Sequence, residues 1–171
     1  VKVCVLTISD RSSRGEREDA SGPSLIALVE EHGWELAEYA VLPDEQEQIE
    51  DWLRSRCDSA DTDVILTTGG TGFSPRDRTP EATKAVSERL APGLAEAMRS
   101  FSLTKTPHAM LSRAVCGIRG STLIINLPGS PRAAGENFEV VMPVLEHAVE
   151  LLQASASAEQ GHTFHKPDPS A

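Results

Sequence analysis

The sequence predicts a three-layer α/β/α domain around a mostly parallel sheet. Short β-rich runs alternate with segments of helical apolar spacing, two turns built from glycine and proline each follow such a run, and 171 residues suffice for one sizeable core. Turns leaving the C-terminal ends of parallel strands are where ligands bind in such folds. Residues 1–153 form the expected domain.

The elements follow in order. Lys2 to Ser9 carries valines, Cys4 and Ile8 in a run suited to a buried strand, with Ser9-Asp10-Arg11 at its end. From Pro23 to His32, Leu25, Ile26, Leu28 and Val29 keep helical spacing, and Gly33 is a stop signal. A second strand is expected over Glu38 to Leu42. After Pro43 a helix begins near Asp44, with Ile49, Trp52 and Leu53 on its buried face. Asp44 stands where an aspartate would cap it.

The third strand, Asp63 to Thr68, runs into a glycine-rich turn. Thr79-Pro80-Glu81 opens another helix, threonine as cap and proline at the first position, expected to run through Leu90. Pro92 repeats the device, and Leu94, Ala95, Met98 and Phe101 supply an apolar face up to a break near Pro107. Val115–Ile118 and Leu123–Leu127 read as strands whose short connection suits an antiparallel pair. Ser130 and Pro131 begin the last helix, where Val141, Leu145, Ala148 and Leu152 share a face and Pro143 should kink or divide the element. From Ala154 periodicity is lost, so 154–171, with His162 and His165, reads as a tail or linker.

Sixteen basic against twenty-six acidic residues give a net charge of −10, which repels nucleic acid and anionic membranes. No run approaches the roughly 18 apolar residues of a membrane span, and no secretory signal opens the chain. A cytoplasmic location is the default. The start at Val1 rather than methionine hints at an excised piece of a longer protein. Cys4, Cys57 and Cys116 lack the paired spacing of a zinc or redox site and read as reduced packing residues.

The chemistry concentrates in Thr67-Thr68-Gly69-Gly70-Thr71-Gly72-Phe73-Ser74-Pro75-Arg76-Asp77. Glycines let main-chain N–H groups approach an anion, Thr68, Thr71 and Ser74 add hydroxyls, and Asp77 can hold a divalent cation. A P-loop is excluded because no lysine lies between Lys2 and Lys84. A dinucleotide fingerprint fails because Pro75 stands where its third glycine belongs. Leu127-Pro128-Gly129-Ser130-Pro131 forms a second helix start suited to anions. Arg11, Arg76 and Arg113 are cations that could offset the negative field locally.

These motifs, with Thr79-Pro80-Glu81-Ala82-Thr83, Pro92-Gly93 and Arg113 to Gly120, resemble the molybdopterin adenylyltransferases. That family includes the bacterial MogA and MoaB proteins and the G domain of gephyrin, and the resemblance runs from about Val3 to Leu152. It implies the MogA-like molybdenum-cofactor-binding fold, a homotrimer, and Mg²⁺-dependent condensation of ATP with molybdopterin to adenylyl-molybdopterin and pyrophosphate. It assigns Asp77 and Asp44 to metal binding and catalysis, and Thr68, Gly69, Gly70, Thr71 and Gly72 to nucleotide phosphates. Ser9, Asp10, Glu81, Pro92 and Gly93 fall on the nucleotide side. Pro128, Gly129 and Ser130 fall on the pterin-phosphate side, with Ser112 and Arg113 as further candidates.

Each assignment has a simpler competitor. Asp77 could pair with Arg76 or Arg78, Glu81 could only complement a helix dipole, and Ser130 could only cap. The resemblance also admits other functions. A sister family inserts molybdate into the adenylylated pterin, with a different glycine-turn sequence. CinA-like domains carry leucine in place of Thr71. The G domain of gephyrin serves as a trimerising module in a scaffold, and a molybdenum-insertion domain or protein is a partner the resemblance allows.

Overall fold

The computed structural model describes residues 1–153; the expected tail, 154–171, lies outside the described residues. Six strands form one sheet: β1 (Lys2–Ile8), β2 (Glu35–Leu42), β3 (Val64–Thr68), β4 (Arg89–Leu90), β5 (Cys116–Arg119) and β6 (Thr122–Leu127). Their spatial order is β2-β1-β3-β6-β5-β4. The pairs β1/β2, β1/β3 and β3/β6 are parallel, and β5/β6 and β4/β5 are antiparallel.

Alternation along the central strands divides the core into two layers, because successive side chains leave opposite faces. Val3, Val5, Val64, Leu66, Leu123 and Ile125 face one side, under α2 (Ser21–Glu31), α5 (Pro92–Leu103) and α6 (Pro131–Leu152). Cys4, Leu6, Ile65 and Ile124 face the other, under α3 (Gln46–Asp58) and α4 (Thr79–Val86). The expected three-layer α/β/α architecture is thus present. A four-residue α1 (Asp10–Ser13) and a 3-10 turn, Pro107–Leu111, add to the expected elements.

Several local expectations need correction. Glu45, not Asp44, occupies the N-cap of α3, and Asp44 turns instead toward Asp10. Thr79 does not cap α4: its buried hydroxyl donates to the Gly69 carbonyl at 2.8 Å. That helix ends at Val86 rather than Leu90, because Arg89 and Leu90 are drawn onto the sheet edge against Ile118 and Gly117. The second strand begins at Glu35 rather than Glu38. Finally, α6 runs undivided through Pro143. An interior proline costs about 3 kcal/mol, offset here by the fully buried Phe138, Val141 and Leu145 on either side of it.

Register fixes the site. Leu42 pairs with Ile8, Thr7 with Thr68, and Thr68 with Leu127, so four parallel strands end at one level. The segments that follow are therefore neighbours: Pro43-Asp44, Ser9-Asp10, Gly69-Gly70 and Pro128-Gly129. Gly69 has φ +101°, and a Cβ there would lie 2.2 Å from the Ile8 carbonyl oxygen. Only glycine fits against that backbone. Among the described residues no helix is long and apolar enough to cross a membrane.

Gly69→Ala is expected to destabilise the domain by at least about 1–3 kcal/mol, the scale of forced backbone strain, seen as a lowered thermal midpoint. Phe138→Ala should cost about 3–5 kcal/mol in urea titration, since Phe138 is fully buried and packs edge-on to Trp34 at 5.9 Å.

Candidate active site

The two anion-receptive turns touch. Thr68 donates its hydroxyl to the Pro128 carbonyl at 2.7 Å, and the Gly69 N–H donates to the Leu127 carbonyl at 3.3 Å. A Cβ on Gly129 would lie 3.2 Å from the Gly69 Cα. The turns form a ridge with a cavity on each side, because backbone this close leaves no room for side chains between them.

One cavity is a polar cleft of about 230 Å³. Ser9, Asp44, Thr68, Gly69, Gly70, Asp77 and Gly129 line it, together with Arg17, Asp19 and Ser21. The other, of about 270 Å³, is mostly apolar and takes Thr71, Gly72, Ser112 and Pro128 from the candidate residues. Met98, Ala95, Leu111, Asn126 and Asn137 complete much of its wall. Glu81, Pro92, Gly93, Arg113, Asp10 and Ser130 line neither cavity. Pro92 and Gly93 simply open α5.

Two carboxylates face the polar cleft with oxygen to spare. Asp44 accepts the Asp10 N–H at 2.9 Å, and Asp77 accepts the Ser74 N–H at 3.1 Å. Both press on the glycine turn: a Cβ on Gly70 would lie 3.1 Å from an Asp44 oxygen, and one on Gly72 2.9 Å from an Asp77 oxygen. Burial raises the Asp44 pKa above its ordinary value, and the nearby charges of Asp10 and Asp77 add to the rise. Asp44 thus has a local deficit of positive charge.

Asp77 is not consumed by its arginine neighbour. Arg76 instead grips both oxygens of Asp10 at 2.9 and 3.0 Å and reaches Glu45 at 2.7 Å. That pairing lowers the Asp10 pKa, chiefly through the Arg76 hydrogen bonds. Asp10 also accepts the Asp44 N–H at 3.1 Å, completing a reciprocal link between the β1 and β2 ends.

Arg113 and Glu81 act on the turn rather than on the cavities. The Arg113 fork donates to the carbonyls of Gly72 at 2.6 Å and Asp77 at 2.8 Å, and pairs with Glu81. Its backbone N–H donates to the Thr71 carbonyl at 2.9 Å. Burial works against ionisation of Glu81, yet the Arg113 hydrogen bond, a bond from its own backbone N–H and the charges of Arg113 and Arg78 together outweigh it and its pKa falls. A planar fork holds several acceptors at once where a lysine could not. Ser130 does cap α6, accepting the Ala133 N–H at 3.3 Å. It stands next to Gly129 and is exposed, so capping leaves it open to the ridge.

Sequence reasoning passes over Asp19, Ser21 and Arg17 in the cleft. The signal available for Asp19 is local: Asp-Ala-Ser-Gly-Pro puts a carboxylate just before a helix, and Asp19 accepts the N–H groups of Ser21 and Gly22. Asn126, by contrast, lies inside an apolar run and Asn137 between the glutamates of a helix, and neither carries a local mark. Among the described residues no three His, Cys, Asp or Glu side chains gather closely enough to hold a metal ion alone.

The architecture and the chain's sequence have known counterparts. The family model described as "Probable molybdopterin binding domain" matches residues 4–147. A molybdopterin adenylyltransferase of Helicobacter pylori J99 is 43% identical over 89% of this chain and 88% of its own length. Gephyrin of Dictyostelium discoideum is 42% identical over 97% of this chain, which spans only 24% of that protein. The crystal structure of the molybdopterin biosynthesis enzyme MoaB from Thermus thermophilus superposes with a TM-score of 0.85 at 49% identity, covering 90% of this chain and 97% of that one. A CinA structure from Thermoplasma acidophilum, 16% identical with a TM-score of 0.63 over 84% of this chain and 97% of that one, shares the fold alone. With family model, full-length relatives and architecture in agreement, the chain belongs to the molybdopterin adenylyltransferase family of molybdenum cofactor biosynthesis.

Proposed function

We propose that this chain transfers the adenylyl group of ATP to molybdopterin. The observation that carries the proposal is the contact between the Thr68–Gly72 turn and the Pro128–Ser130 turn at the rim of a cleft lined by two unpaired carboxylates. Two anion-receptive turns in contact suit a reaction that must bring two anions together. An oxygen of the molybdopterin phosphate attacks the α-phosphorus of ATP, a new P–O bond forms, and the α,β-bridging bond breaks to release pyrophosphate. The protein contributes alignment and charge compensation, since no covalent intermediate with it is required.

Each part of the site has a role in this reading. Within Thr68 to Gly72, the N–H groups of Gly70, Thr71 and Gly72 and the Thr71 hydroxyl receive nucleotide phosphates while Thr68 and Gly69 hold the ridge together, and Pro128, Gly129 and Ser130 receive the pterin phosphate. The apolar cavity beyond the ridge suits the flat heterocycle of one substrate. Arg113 and Glu81 hold the glycine turn in shape, and Asp10 with Arg76 braces Asp44.

Asp44 and Asp77 are the residues that would hold Mg²⁺. The fit rests on their shared cleft, their free oxygens and the raised pKa of Asp44, which a cation would relieve. Magnesium commonly takes one or two carboxylates and completes its shell with water and phosphate oxygens. When bound it supplies positive charge against the phosphates and the departing pyrophosphate. A homotrimer working in the cytoplasm, with a molybdenum-insertion domain or protein as a partner, completes the proposal and is supported by the family resemblance rather than by the geometry. Gephyrin and the Drosophila cinnamon protein, of which this chain matches about a quarter, show relatives in which such a segment is part of a longer chain.

Asp77→Ala should fold normally and lower turnover by about 10² to 10³, the scale of losing one preorganised electrostatic group. Pyrophosphate release with Mg-ATP and molybdopterin measures it, and full turnover by a folded variant rejects the metal role. Ser130→Ala should weaken molybdopterin binding more than ATP binding in calorimetric titration. A Ser130 that only caps would instead cost about 1 kcal/mol of stability and leave both affinities unchanged.

A further inference from the structure

Asp19 lines the polar cleft beside Asp44 and Asp77 yet differs from them in one respect: its lone pairs are taken. Thr7 donates its hydroxyl to Asp19 at 2.6 Å and Tyr39 donates at 2.5 Å. The backbone N–H groups of Ser21 and Gly22 donate at 2.9 and 3.2 Å. Four donors exhaust the roughly four acceptor positions of a carboxylate, so Asp19 has no oxygen left for a cation or a substrate hydroxyl. The donors come from three elements, β1, β2 and the first turn of α2.

The packing around this carboxylate is closed. A Cβ on Gly22 would meet an Asp19 oxygen and a Tyr39 ring carbon at 2.5 Å and the Thr7 hydroxyl at 2.7 Å. Ser21, fixed by its N–H bond to Asp19, turns its hydroxyl to the Gly129 carbonyl at 2.8 Å. Gly129 in turn packs on Gly69, whose N–H reaches Leu127. On the opposite side, Thr7 is the register partner of Thr68, where the glycine turn starts. Asp19 is therefore linked to both turns, to one through Ser21 and to the other through Thr7.

We propose that Asp19 is a positioning residue for adenylyl transfer, which through Ser21 holds the Pro128–Ser130 turn against the glycine turn at the separation the two phosphates require. This rests on the adenylyltransferase reading and deepens it. Asp19 touches neither substrate; it sets where the pterin-phosphate turn stands relative to the nucleotide turn. Burial opposes its ionisation, but the hydrogen bonds from Thr7, Tyr39, Gly22 and Ser21 outweigh that and keep its pKa below the ordinary value, so the anion persists at neutral pH.

The test uses Asp19→Asn, which weakens the whole hub, and Ser21→Ala, which removes only the link to Gly129. Amide hydrogen exchange at Gly69, read by NMR without substrate, should quicken about tenfold in both, while amides in β3 stay unchanged. Steady-state pyrophosphate release should show Asp19→Asn lowering kcat about 10- to 10²-fold, the scale of a small misplacement of reacting groups. Ser21→Ala should raise the KM for molybdopterin several-fold and leave the KM for ATP within about twofold. A purely structural role would lower the thermal midpoint of both variants without this split between substrates. Unchanged exchange at Gly69 in folded Ser21→Ala, or wild-type kinetic constants in both variants, overturns the proposal. If the wild-type protein itself releases no pyrophosphate, the adenylyltransferase reading falls, and exchange alone decides whether the link from Asp19 to the ridge exists.

Discussion

Everything at the site depends on the register of four parallel strands. Because Leu42, Ile8, Thr68 and Leu127 stop at nearly the same level, four chain segments that are distant in sequence emerge side by side. A shift of one residue in any strand would turn its side chains to the opposite face and separate the segments. The apolar alternation that builds the two core layers is what forbids such a shift. Core packing and site geometry are thus one constraint, and Val3, Val5, Leu66 and Ile125 matter to function without approaching a ligand.

The glycine turn converts that constraint into a surface. It must pass close to the Ile8 carbonyl, accept Thr79 and Arg113 as clamps on its carbonyls, and still leave its exposed backbone free. Its own carbonyls would repel a phosphate. Tying those of Gly69 and Gly72 to Thr79 and Arg113 satisfies them within the protein, which leaves anion binding to the N–H groups. The clamps also explain why two residues that resemble ligand contacts by position, Glu81 and Arg113, lie outside both cavities.

Much of this was legible in the sequence. Every strand but β4, the antiparallel pair β5/β6 and the Ser130 cap follow from periodicity and turn chemistry, which act over a few residues. The two misplaced caps share one cause. Thr79 and Asp44 stand in ordinary capping positions, yet each is drawn to a partner made near only by folding, Gly69 and Asp10. Tertiary hydrogen bonds in a buried setting outweigh the local preference. Arg113 and Glu81 are 32 residues apart and meet beside the glycine turn. No spacing rule reaches that far. Asp19 falls between the cases, since its bonds to Ser21 and Gly22 are local and its bond to Tyr39 is not.

The acidity of the chain bears directly on how the proposed reaction could proceed. The polar cleft carries Glu18, Asp19, Asp44 and Asp77 against the single cation Arg17 among its described lining residues. Arg76 at the rim is committed to Asp10 and Glu45. A bare nucleotide would therefore meet net repulsion at the cleft, within a protein whose overall charge is already −10. The carboxylates become an asset only once a cation has entered with the phosphates, because the same negative groups that repel ATP attract Mg-ATP. On this reading selectivity for the metal-bound nucleotide is built into the charge of the cleft itself. The uncharged ridge of backbone then does the finer work of placing one phosphate against another.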